Sequence, residues 1–260
     1  MRPTFPRPLF LAVLLLVLAF AVPAQAHFGM LVPDKNLVTK DGPKSVSLDI
    51  RFWHPMENQG MSLEKPKLEL FAKGKKQDVS AALAASTVEG KQAWKADYQV
   101  KAPGVYQFFM TPPAYWEPAE DKFIIHMTKT VVSALGDDEG WDKPVGAKLE
   151  IVPMVKPFAL YAGNLFTGKV LFKGKPLANA EVEVEFYNKG GALKAPDDAY
   201  VTQVVKTDGA GVFSYAAPWS GWWGFSALHD DDAKMKKDGK DKDVELGGVI
   251  WVYFHPVPGK

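Results

Sequence analysis

The sequence predicts an all-β protein: two β-sandwich domains, immunoglobulin-like or transthyretin-like, behind an N-terminal leader. Three observations carry this. Apolar and polar residues alternate along one stretch after another, the period of a half-buried strand. Turn-forming Gly, Pro, Asn and Asp clusters punctuate those stretches at short intervals, as in sandwiches. Helical periodicity never lasts beyond two turns, and residues 80–86 offer the one short helical piece.

In the first half, Val46, Leu48, Ile50 and Phe52 alternate with Ser47, Asp49 and Arg51. His54 keeps the apolar parity, which places it at the inward end of that strand, and Pro55 closes it. Lys67 to Phe71 follows, with Leu68 and Leu70 inward. Trp94 to Val100 and Val105 to Met110 are expected to pair around Ala102-Pro103-Gly104. Phe123 to Val132 is a strong β run with Ile124 and His126 on one parity. Glu139 to Pro144 reads as a turn and Leu149 to Val152 as a short strand. Pro153 and Pro157 bracket the expected boundary, so the domains are residues 27–153 and 158–260.

Beyond that boundary the pattern restarts with Asn164 to Phe172, and Gly174-Lys175-Pro176-Leu177 is a turn. Glu181 to Tyr187 alternates, with Val182, Val184 and Phe186 inward and three glutamates outward. Val201 to Lys206 and Val212 to Tyr215 flank Thr207-Asp208-Gly209-Ala210-Gly211, expected as a hairpin connection. Trp222 to Leu228 is an aromatic strand, His229 to Val244 a charged, mobile loop, and Leu246 to Phe254 the last strand. The segments from Gly168 to Val182 and from Thr207 to Phe213 resemble the small transthyretin-like or carboxypeptidase-regulatory-like sandwiches. That resemblance implies a fold and no activity.

The start of the chain has the form of a secretory signal. Arg2 and Arg7 precede an almost unbroken apolar run, Leu9 to Val22, and Ala24-Gln25-Ala26 is a small-x-small cleavage pattern. The run is short for a membrane span, which needs roughly 20 apolar residues. Residues 1–26 are therefore expected to be removed, leaving 234 of 260 residues in the periplasm without a membrane span. A net charge of +1 with no basic block argues against a nucleic-acid partner. Zero cysteines exclude disulfides and confine any metal site to His, Met, carboxylates and the chain's own amine.

A cut after Ala26 makes His27 the first residue. Its α-amine and Nδ1 can then hold one ion as a six-membered chelate, which no internal histidine can do. His54 and His126 both fall on inward parities, and burying an imidazole without a partner is costly. A shared ion would satisfy all three, giving His27, His54 and His126 as candidate ligands. Met56 and Met61 add thioethers beside His54, donors that suit copper(I). His229, ahead of Asp230 to Asp232, and His255 carry less weight. There is no phosphate-binding glycine loop, nucleophile elbow or metalloprotease helix motif.

Several segments resemble one family: His27-Phe28, Phe52-Trp53-His54-Pro55-Met56-Glu57, Tyr115-Trp116-Glu117-Pro118, His126 to Val132, Gly140-Trp141-Asp142, Gly163-Asn164-Leu165-Phe166 and Gly221 to Phe225. They are similar to the periplasmic components of bacterial cobalt and nickel uptake systems, the NikK-like proteins, over nearly the whole mature chain. The resemblance implies a soluble periplasmic, non-enzymatic protein that binds nickel or cobalt and supplies a membrane metal transporter. Its matching metal positions are His27, His54 and His126. The alternatives are a copper histidine-brace protein, either chaperone or oxygenase, and a structural two-sandwich protein with incidental histidines. N-terminal sequencing of the exported protein should read His27-Phe28-Gly29-Met30; a start further upstream would remove the amine from the donor set.

Overall fold

The computed structural model describes residues 27–259; the leader expected over residues 1–26 lies outside them. Strands dominate the described residues, as expected. Of the helical piece anticipated at 80–86 only a 3-10 turn exists, Ser80–Ala82, after which Leu83–Val88 runs on as a strand.

The described residues form four sheets, one two-stranded hairpin and three large ones that share the cores. The first has five strands, in the order Phe28–Pro33, Ser45–His54, Lys91–Gln99 and Leu83–Val88, with Gln59–Met61 also on Ser45–His54. The middle sheet has eleven strands, and its central pair is Lys122–Ala134 beside Val244–His255. Gly104–Thr111 and Lys67–Ala72 extend it on one side, Gly221–Asp230 and Glu181–Phe186 on the other. The last has four strands and centres on Leu165–Phe172, flanked by Leu149–Pro153 and Val212–Ala216.

This corrects the expectation of two separately sheeted domains, 27–153 and 158–260. Lys122–Ala134 and Val244–His255 pair in parallel, Phe123 opposite Val244 through Thr130 opposite Trp251. One sheet therefore runs through both halves. The physical reason lies in burial on both faces, the signature of parallel central strands. Ile124 and Val132 enter a core with Leu48, Ile50 and Phe108, while Phe123, Met127 and Val131 enter another with Ile151, Phe166 and Val184. One strand supplies both cores from alternate positions. A third cluster, Phe28, Met30, Trp53, Tyr187 and Trp251, sits where the first strand meets the middle sheet.

Two expected hairpins are corrected as well. Lys91–Gln99 and Gly104–Thr111 lie in different sheets and face each other across the core, where the Tyr98 ring meets those of Tyr106 and Phe108 at 5.7 and 5.3 Å. Likewise Gln203–Lys206 pairs with Glu181–Phe186, while Val212–Ala216 pairs with Leu165–Phe172. In both cases the two strands feed one core from different sheets, Ala96 with Phe108 and Val205 with Phe213. The charged stretch from His229 to Val244, expected as a loop, begins as strand and then forms the hairpin Met235–Lys237 with Lys240–Lys242. Residues 27–153 expressed alone would expose Phe123, Met127 and Val131 and one edge of Lys122–Ala134, an aggregation-prone surface. Calorimetry should show one cooperative transition for the mature chain and none for that fragment.

Candidate metal centre

The strand Phe28–Pro33 is buried along its whole length. It pairs with Ser45–His54, Phe28 opposite Trp53, and the Trp251 indole N–H donates to the Gly29 carbonyl at 2.9 Å. Glycine is required at position 29, because a Cβ there would meet Thr128 Oγ1 at 2.2 Å. These contacts hold the residue just before the strand, His27, against the end of the partner strand, His54. The two imidazole rings are 4.6 Å apart, tilted by 54°. His27 Nε2 also lies 3.3 Å from Glu117 Oε2, and Glu117 Oε1 accepts from the Ala119 N–H at 3.0 Å.

The turn after His54 is held by the second half of the chain. The Asn188 N–H donates to the Pro55 carbonyl at 3.1 Å, and its Nδ2 to the Met56 carbonyl at 3.0 Å. The Met56 N–H donates to Glu185 Oε2 at 3.2 Å, and the Thr202 hydroxyl donates to the other Glu185 oxygen. Glu185, expected to face outward, is buried. Alternation fails there because this carboxylate has fixed donors to satisfy it. Met56 lines an apolar groove of about 930 Å³ with Phe186, Tyr187 and Trp219, and Met61 packs on the first core.

His126 is buried, and among the described residues neither ring nitrogen has a hydrogen-bond partner. Its ring fits only because residue 247 is glycine; a Cβ there would sit 2.4 Å from His126 Cδ2. Burial, reinforced by His27 and Lys122, lowers its pKa to about 3, so the ring stays neutral and keeps a lone pair. It lines a cleft of about 310 Å³ with Phe52, Tyr115 and Trp116. The Phe52 ring bridges the histidines, 5.4 Å from His27 and 5.7 Å from His126. Thus His27 and His54 are in ring contact, and His126 joins them through Phe52. Among the described residues no three His, Asp or Glu side chains stand as a ready-made metal cluster. The donors nevertheless suit a nitrogen-binding divalent ion: a histidine pair, and a buried neutral imidazole whose two nitrogens lack hydrogen bonds.

His229 and His255 do not join this group. His229 packs edge-on against Phe172 at 4.4 Å, and the neighbouring Asp231 and Asp232 pair with Lys148 and Lys173. His255 Nε2 is 3.3 Å from Asn36 Oδ1. Glu117 and Glu185 were missed from sequence; the only trace of Glu117 was its place in the Tyr115-Trp116-Glu117-Pro118 segment.

A family model described as "Domain of unknown function (DUF4198)" matches residues 24–231. Among solved structures, the chain is similar to fibronectin(III)-like modules of Clostridium thermocellum CbhA at 10% identity, covering 89% of this chain and 97% of that one, with a TM-score of 0.23. The D00-D0 domain of Intimin gives 12% identity, 88% and 99% coverage, and a TM-score of 0.22. Likeness at that level carries no argument about this chain. No curated protein matches.

The buried groups set opposite pH limbs. Burial pushes Glu183 and Glu185 up to about 8, so their contribution is present below the ordinary 4.5 and is lost as pH rises toward 8. His126, lowered from 6.5 to about 3, contributes above 6.5, and that is lost as pH falls toward 3. Denaturant unfolding at a series of pH values should therefore show stability falling on both sides, and Glu185→Gln should flatten the alkaline limb.

Proposed function

The chain belongs to the DUF4198 family, a domain of unknown function, and from that premise we propose that it is an exported metal-binding protein. It holds nickel or cobalt in the periplasm and supplies a membrane transporter, without catalysing a reaction. The observation that carries this reading is the His27–His54 ring contact at 4.6 Å, located at the residue that cleavage after Ala26 would leave first. The α-amine and imidazole of His27 and the imidazole of His54 are the core donors. His126, set behind the Phe52 ring and without hydrogen-bond partners among the described residues, is the further candidate imidazole. Imidazole and amine nitrogens suit divalent ions late in the first transition row. Among the described residues no helix is long and apolar enough to cross a membrane, in keeping with a soluble carrier.

The same donors support a second reading, a copper histidine-brace protein, because an N-terminal histidine facing a second imidazole is also a copper-binding arrangement. Copper should bind tightest in vitro under either reading, so affinity alone does not separate them. Metal analysis of the protein taken from the periplasm does.

Adding one alanine ahead of His27 in the mature protein converts the amine to an amide and removes half of the chelate. The expected result by calorimetry is a loss of nickel affinity of at least roughly 10- to 100-fold, the cost of even an indirect ligand contact, with an unchanged circular dichroism spectrum. His27→Ala should lose more. Equal affinity of extended and native proteins would sink the reading.

A further inference from the structure

We infer that Glu117 is a positioning residue that selects the nitrogen through which His27 binds. This deepens the metal-binding reading and rests on it.

His27 Nε2 is 3.3 Å from Glu117 Oε2. An ionised carboxylate only accepts hydrogen bonds, so this close approach favours the tautomer whose proton sits on Nε2, toward Oε2. A neutral imidazole has one such proton, and the lone pair then resides on Nδ1. Nδ1 is the nitrogen that closes a six-membered ring with the α-amine; Nε2, on the far side of the imidazole, cannot reach an ion held by that amine. Glu117 therefore favours the chelating tautomer and fixes the ring plane without occupying a coordination position. A metal-bound histidine commonly donates its second N–H to a carboxylate in this way, which orients the ring and raises its basicity.

The carboxylate is itself preset. Glu117 is buried, on the short strand Tyr115–Glu117, which pairs with Lys122–Ala134 with Glu117 opposite Lys122. Its other oxygen accepts from the Ala119 N–H at 3.0 Å. The same strand carries Tyr115, whose ring lies 6.2 Å from that of His27. The contact thus comes from the middle sheet, whereas His27 and His54 come from the first sheet. Glu117 ties the donor pair of one sheet to the other.

The test uses the mature protein beginning at His27, isotopically labelled with 15N and metal-free, with Glu117→Ala and Glu117→Gln alongside. In the parent protein NMR should show a protonated Nε2 on His27, its proton exchanging slowly with water, and an unprotonated Nδ1. Glu117→Gln retains an acceptor oxygen and should keep the slow proton, whereas Glu117→Ala should lose it. In nickel titrations Glu117→Ala should weaken binding by roughly 10- to 100-fold, and Glu117→Gln by clearly less. A proton on Nδ1, or a slow Nε2 proton that persists in Glu117→Ala, overturns the proposal. Equal losses in the two variants also overturn it, because Glu117 would then act through its charge as a ligand. If no protein binds nickel, cobalt or copper, the metal reading falls and the positioning role with it; a slow Nε2 proton sensitive to Glu117→Ala would then report a structural contact alone.

Discussion

The burial of Phe28–Pro33 is the constraint on which the rest of the structure depends. No residue of that strand is exposed. Its backbone completes the first sheet against Ser45–His54, Leu31 enters the first core, and Phe28 and Met30 enter the cluster around Trp53 and Trp251. Each large apolar side chain contributes about 1.5–3 kcal/mol on full burial. Three together rival the 5–15 kcal/mol net stability of an ordinary domain. The first residues of a chain are usually frayed; were the chain cut after Ala26, its new start would instead be held by core-scale forces. His27 inherits that rigidity, and its ring is held 4.6 Å from that of His54.

The strand Lys122–Ala134 makes the two halves inseparable in a second way. Alternate residues serve different cores, and among its buried polar side chains Lys129 and Thr130 have hydrogen-bond partners, while the ring nitrogens of His126 have none among the described residues. Lys129 is buried, its ammonium 3.3 Å from Glu150 Oε2, and burial holds its pKa below the ordinary value. Glu150 in turn accepts from the backbone N–H groups of Val145 and Gly146, each at 3.0 Å. Removing either partner would strand a buried charge, which costs far more than the pair contributes. This ion pair specifies how the turn after Trp141 docks on the middle sheet.

Much of this was legible in the sequence, and the exceptions have physical causes. Alternation found Ser45–His54, Lys67–Ala72, Leu165–Phe172 and Glu181–Phe186, because each has one face on a core and one toward polar surroundings. It placed His54 and His126 inward, where they are. It did not reveal that Lys122–Ala134 pairs with Val244–His255, since strand partners far apart in the chain leave no local mark. The unbroken apolar runs Ile124-Ile125 and Val249-Ile250-Trp251-Val252 were the available hint of central strands. The mistaken hairpins share one cause: a turn of the right length joins strands within a sheet or between sheets equally well, and only the opposing core decides. Glu117 and Glu185 escaped because a buried carboxylate is legible only through the donors that surround it.

The indole of Trp251 donating to the Gly29 carbonyl joins residues 222 positions apart. The parallel pairing of Lys122–Ala134 with Val244–His255 joins residues 121 positions apart, as Phe123 and Val244 are. Contacts of such long range form slowly, because the intervening loop must be closed before it is rewarded. Phe28, next to His27, comes early in the described chain, yet Trp251, whose ring lies 6.0 Å from its own, comes almost last. The packing around Phe28–Pro33 is therefore complete only when the last strand is present. A chain ending before Val244–His255 would lack both Gly247, which leaves room for the His126 ring, and the Trp251 indole that holds the Gly29 carbonyl.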